Sequence, residues 1–184
     1  YPMSEGYAEF AVLGMYHLQG WSEVYRPRRN GDALVLTADL AGCGLRLTRR
    51  YALREGALHI TSRLLNHGKA TRSVGWGAAL HLLAPAEARV STAPATYAWH
   101  ELPDGLGKAL VLEAEKLPRD GWSVEAAGCR LTQQWSGLPV DRAILGKDEG
   151  KSILGLDLRV DTRPLQPGEA LTMQQVIKIE PAGS

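Results

Sequence analysis

Cysteine, phenylalanine and methionine are scarce in this chain of 184 residues, with two, one and three copies. The two cysteines, Cys43 and Cys129, can pair or stay free. They are too few and too isolated to found a metal site, and buried structural thiols are the expectation. Charge of one sign is also missing. A net charge of +1 gives no electrostatic basis for binding nucleic acid or an anionic membrane. The one basic cluster, Arg26, Arg28 and Arg29, is too small for a phosphate-tracking stripe. No apolar run approaches the ~18 residues that a membrane span needs. The first residues, YPMSEGYAEF, lack both the basic start and the apolar run of a signal peptide. They also lack an initiator Met, so a fragment or processed product is expected; the compartment stays open, with the cytoplasm favoured.

Helical periodicity is absent too: no segment holds a 3.6-residue apolar period for four turns. There is no internal repeat, low-complexity tract or composition shift, so one domain over residues 1–184 is expected. Several chemistries lose their sequence basis. No Gly-rich phosphate loop, no Gly-x-Ser-x-Gly elbow and no His-Glu-x-x-His occurs. His59, His67 and His81 have spacings that match no metal-binding pattern.

What is present is short-period alternation broken by twenty glycines and ten prolines. Asn30-Gly31 is a hairpin signal, and the aliphatic run Ala33–Leu40 follows it. Leu45–Leu53 alternates, with Leu45, Leu47, Tyr51 and Leu53 inward and the arginines outward; a slip at Arg49-Arg50 suggests a bulge. Glu55-Gly56 turns the chain into Ala57–Leu65, where Leu58, Ile60 and Leu64 form the buried face, with another phase change, and His59 faces away. Asn66-His67-Gly68-Lys69 is a second turn. Ser73–Leu83 is the next strand, in which Gly75-Trp76-Gly77 permits close approach of a backbone or a ligand, and His81 stands near its end. Further strands are predicted at Ala88–Thr92, Lys108–Glu113, Trp122–Ala126, Cys129–Trp135, Ala143–Leu145, Ser152–Leu158 and Leu171–Ile179. A short helix within Ala109–Lys116 fits the composition, but flanking turns leave it little room. The fold class is all-β, an antiparallel sandwich.

Tryptophan is plentiful, at Trp21, Trp76, Trp99, Trp122 and Trp135. Sugar rings stack their C–H faces on indole and need nearby donors and acceptors, so a Trp-rich sandwich with Arg, His and Asp at its strand ends suits a carbohydrate ligand. The alternative use of these rings is as core.

The run from His17 to Pro85 resembles the central part of the aldose 1-epimerase (galactose mutarotase) family, with its galactose mutarotase-like supersandwich. The resemblance rests on Gly14-Met15-Tyr16-His17 with Gly20-Trp21, on Tyr51-Ala52-Leu53, on Leu64-Leu65-Asn66-His67-Gly68, and on Gly77-Ala78-Ala79-Leu80-His81. Leu102-Pro103-Asp104-Gly105 and Leu165-Gln166-Pro167-Gly168-Glu169 are similar to two later turns of the family. It implies that His81 is the acid that protonates the ring oxygen, that His17 is the second active-site histidine, and that Asp157 stands at the family's glutamate base. Trp76, Trp21, Arg29 and Asp104 become candidate sugar contacts. Leu82-Leu83 replaces the family's Tyr-Phe, and the family's N-terminal strands are missing. The expected ligand is a small sugar or glycan, with no cofactor, no metal, no nucleic acid and no membrane; the oligomeric state stays open. The implied activity is aldose 1-epimerisation, an isomerase reaction by acid–base ring opening. The alternative is a non-catalytic carbohydrate-binding domain of a glycoside hydrolase or lyase.

Overall fold

Alternating apolar residues separated by Gly- and Pro-bearing turns give two antiparallel sheets packed face to face. The computed structural model describes residues 6–13, 17–19, 24–40, 42–105 and 108–183, the first two segments by backbone path. Its strands begin with β1 (Gly6–Leu13), β2 (His17–Gln19), β3 (Arg26–Asn30), β4 (Ala33–Leu40), β5 (Leu45–Arg54), β6 (Ala57–Asn66) and β7 (Arg72–Leu83). There follow β8 (Arg89–Thr92), β9 (Thr96–Ala98), β10 (Leu110–Leu112), β11 (Gly121–Ala126), β12 (Cys129–Ser136), β13 (Arg142–Asp148), β14 (Ile153–Leu165) and β15 (Ala170–Pro181). One sheet has the order β10-β13-β14-β7-β1-β2 and the other β3-β4-β5-β6-β15-β12-β11-β8-β9. Residues 109–116 form β10 and a short 3₁₀ turn at Ala114–Lys116 rather than one helix. Among the described residues no helix is long and apolar enough to cross a membrane.

The turns lie where the sequence marks them. Asn30 closes β3 onto Ala33 of β4, with Gly31 at φ 61°. Gly168, at φ 84°, turns β14 into β15. The edge strand β3 reads Arg-Pro-Arg-Arg-Asn and is exposed throughout. Charge and proline on an unpaired edge discourage pairing with another chain. Arg29, a candidate sugar contact from sequence, lies on this edge strand of the nine-stranded sheet, its Nε donating to Gly31 O at 3.2 Å. In the same sheet, the Arg54 and Arg46 guanidiniums hold the Asp32 and Asp39 carboxyls below the usual carboxylate range.

The expected bulge at Arg49-Arg50 is absent: β5 pairs with β6 without a break from Leu45–Asn66 to Arg54–Ala57. Instead Arg49 takes an inward position between Leu47 and Tyr51 and is 8% exposed. Its guanidinium lies over the Tyr25 ring at 4.9 Å, an arrangement that suits a delocalised cation with an apolar stem. The second phase change disappears likewise, since Leu58, Ile60, Ser62 and Leu64 hold one face in continuous register with β15.

Two apolar clusters fill the space between the sheets. The larger gathers Trp76, Trp99, Trp122 and Trp135 with Leu80, Leu154, Leu156 and Leu158. The smaller gathers Leu40, Cys43, Leu45, Leu47, Leu64, Val74, Leu165 and Leu171. Trp122 and Trp135 meet edge to face, centroids 5.1 Å apart. One polar chain runs through this core: Trp122 Nε1 donates to Gln133 Oε1 at 2.9 Å, and Gln133 Nε2 to Gln175 Oε1 at 2.7 Å. Burial of these two amides and this indole is tolerated because each finds a partner, whereas Trp76 Nε1 and Trp135 Nε1 are buried with no hydrogen-bond partner among the described residues. Cys43 is buried as expected, whereas Cys129 is exposed.

Candidate active site

Period-2 alternation on β7 and β14 sends one set of side chains into the core and the other to the outer face of the six-stranded sheet. On β7, Val74, Trp76, Ala78 and Leu80 are core residues, and on β14, Leu154, Leu156, Leu158 and Val160. The intervening residues on the outer face include Gly77, Ala79 and His81 of β7 and Gly155, Asp157 and Arg159 of β14. Register places Gly155 beside His81, Asp157 beside Ala79, and Arg159 beside Gly77. On the next strand, β13, Gly146, Ile144 and Arg142 continue these three rows. Gly146, Gly155, Gly77 and Ala79 hold the floor low around the polar groups.

His81 and Asp157 sit diagonally across the β7–β14 pair, with Nε2 to Oδ1 at 3.7 Å. Their side chains are 14% and 22% exposed. Arg159, two residues along the same strand from Asp157, donates from Nη2 to Asp157 Oδ2 at 3.1 Å. Asp157 Oδ1 is buried and has no hydrogen-bond partner among the described residues. The site thus combines an imidazole nitrogen, a carboxylate oxygen close to it, and a guanidinium on the carboxylate's other oxygen. A proton donor and a proton acceptor this close can address two oxygens carried by one carbon.

The remaining sequence candidates fall elsewhere. Trp76 is corrected from sugar contact to core: it is 2% exposed, because an even position on β7 faces the opposite side of the sheet from His81. His17 pairs with Leu13, which pairs in turn with Val74, so its backbone lies seven positions along β7 from the His81 row. Asp104 forms a bridge to Lys147, and its Oδ1 accepts from the Glu149 N–H at 2.9 Å, which ties a loop to the end of β13. Trp21 lies outside the described residues. His59 and His67 belong to β6 and the turn after it, in the other sheet. Among the described residues no group of three or more His, Cys, Asp or Glu is placed to hold a metal ion. The residue missed from sequence is Arg159. Its signal was there in Leu156-Asp157-Leu158-Arg159, where alternation puts the carboxylate and the guanidinium on one face.

No family model matches the chain, and no curated protein sequence does. Solved structures do. A proposed aldose 1-epimerase from Escherichia coli K12 superposes with a TM-score of 0.70 at 14% identity, covering 88% of this chain and 70% of its own. A galactose mutarotase-like protein from Lactobacillus casei gives 0.65 at 9% identity, covering 87% and 74%. The α-galactosidase of Lactobacillus brevis gives 0.52 at 13% identity, covering 97% of this chain but 27% of its own. The fold is that of the galactose mutarotase-like sandwich.

Proposed function

We propose that this protein interconverts the anomers of a sugar hemiacetal, an aldose 1-epimerase reaction. The observation that carries this reading is the approach of His81 Nε2 to Asp157 Oδ1 at 3.7 Å on a shared, glycine-floored face. A hemiacetal carries its hydroxyl and its ring oxygen on the same carbon. Asp157 Oδ1 takes the proton of the anomeric hydroxyl while protonated His81 gives one to the ring oxygen. The bond between that oxygen and the anomeric carbon breaks, leaving an open-chain aldehyde. After rotation about the adjacent C–C bond, His81 takes its proton back from the former ring hydroxyl, Asp157 gives its own to the aldehyde oxygen, and the ring closes on the other face. Imidazole, which can both give and take a proton, suits the donor role. Asp157 stands where the resembled family has glutamate, so the acceptor is one methylene shorter.

The test is polarimetry of freshly dissolved α-D-glucose and α-D-galactose. The native chain is expected to speed relaxation, and His81→Ala and Asp157→Asn to lose about 10²–10⁴-fold, the usual worth of one acid or base. Relaxation at the buffer rate with micromolar protein for both sugars rejects the reading. The likeness to α-galactosidases favours a second reading, a sugar-binding domain without turnover. Under it, calorimetric titration with galactose shows binding while the polarimetric rate stays at the buffer value.

A further inference from the structure

We propose that Arg159 is a positioning residue that sets the rotation of the Asp157 carboxylate, so that one oxygen is held and the other faces His81. This rests on the acid–base reading above and adds to it a third residue. An aspartate carboxylate is poorly fixed by its own covalent structure, since the terminal torsion is broad and two-fold. Something outside the side chain must choose which oxygen points where.

The geometry points to Arg159 as that choice. Its Nη2 bonds Oδ2 at 3.1 Å, while Oδ1 stays without a hydrogen bond among the described residues and lies 3.7 Å from His81 Nε2. Both partners are about one-fifth exposed, at 21% for Arg159 and 22% for Asp157. The two residues share one rigid strand at i and i+2, and β14 is paired on both sides, with β13 and with β7. A planar guanidinium on a fixed strand gives a directional bond to carboxylate, which an ammonium on a flexible stem gives less well.

Arg159 also accounts for the short acceptor. A carboxylate attached through one methylene meets both the guanidinium of its strand neighbour and the imidazole of the adjoining strand. Adding a methylene moves it off this arrangement. Asp157→Glu, although it restores the residue of the resembled family, is therefore expected to lower turnover. Misplacement of a reacting group by ~1 Å costs about 100-fold.

The experiment joins polarimetry with urea unfolding on the full chain and the variants Arg159→Met, Arg159→Lys, Asp157→Glu, Asp157→Asn and Asp157→Asn/Arg159→Met. Arg159→Met is expected to lower kcat about 100-fold with KM within about twofold, Arg159→Lys to recover part of the loss, and Asp157→Glu to lower kcat about 10-fold or more. In unfolding, Arg159→Met is expected to shift the midpoint less in the Asp157→Asn background than in the native one, as coupled residues do. A rise in KM with kcat kept makes Arg159 a sugar contact and overturns the proposal. A gain in kcat for Asp157→Glu, or additive unfolding shifts, overturns it as well. If Arg159→Met relaxes sugar as fast as the native chain, the inference fails and the epimerase reading stands. If the native chain gives no rate but unfolding stays coupled, the epimerase reading fails, and the pair is reduced to a structural ion pair.

Discussion

Asn66 shows how one side chain can join segments distant in sequence. It is 0% exposed. Its Nδ2 donates to Leu165 O at 2.8 Å and to Ala70 O at 2.9 Å, and its Oδ1 accepts from the Gly68 N–H at 3.0 Å. Its backbone adds two more links to the turn before β15, Asn66 N–H to Glu169 O and Gly168 N–H to Asn66 O. An amide is suited to this place because it offers two donors and an acceptor without charge. Asn66→Ala strips donors from two carbonyls, each worth about 1–3 kcal/mol when left buried and unmet. Asn66→Asp is expected to lower the urea midpoint further, since it turns a carboxylate oxygen toward two carbonyl oxygens in a buried site. A midpoint for the Asp variant equal to the native one rejects this account. In the sequence Asn66 reads only as a turn residue, because nothing local reveals that Leu165, far along the chain, supplies its partner.

At the scale of strands, much of the sandwich was legible. The β5, β6 and β7 segments, the hairpin turn at Asn30-Gly31 and the strands from β11 to β15 follow from alternation and turn chemistry. The misreading on β5 has a clear cause. Arg49 occupies an inward position on β5 and reads in sequence as a slip in register, because nothing local shows the Tyr25 ring that receives it. The site was less legible than the fold. His81 and Asp157 were named through family resemblance, and only the register of β7 against β14 brings them together, while Trp76 was misassigned for want of a face. A real irregularity does occur on β14, between Val160 and Arg163, just beyond the site. There the bulged backbone crowds Gly75: an added Cβ would lie 2.4 Å from Val160 O and 3.2 Å from the Asp161 carbonyl carbon. These are backbone atoms and cannot rotate aside. Gly75→Ala is expected to cost about 1–3 kcal/mol, the range for overpacking. Ser73→Ala, at the exposed start of the same strand, is expected to stay within about 0.5 kcal/mol. Urea unfolding of the two variants checks this, and equal midpoints reject the requirement for glycine at the bulge.

Across the whole molecule, the two apolar clusters raise the question of whether the sandwich melts as one unit. Its connectivity argues that it does. Val74 belongs to the smaller cluster and Trp76 to the larger, two residues apart on β7; Leu165 and Val160 divide β14 in the same way, and Leu171 and Met173 divide β15. Leu138 packs against both clusters. Loss of either cluster therefore frees strands that the other needs. The chain carries its own reporters for each end. Trp76, Trp99, Trp122 and Trp135 all lie in the larger cluster, whereas Cys43 is buried in the smaller one, its Sγ donating to Leu40 O at 3.3 Å. Cys129 is exposed. In native buffer, a thiol reagent is expected to modify Cys129 promptly and Cys43 only on the timescale of unfolding. In a urea series, Cys43 labelling and tryptophan fluorescence are expected to share one midpoint, as coincident probes do in a cooperative transition. Labelling of Cys43 at urea concentrations that leave the tryptophan signal intact shows instead that the β4–β6 end opens separately, and sinks the single-unit account.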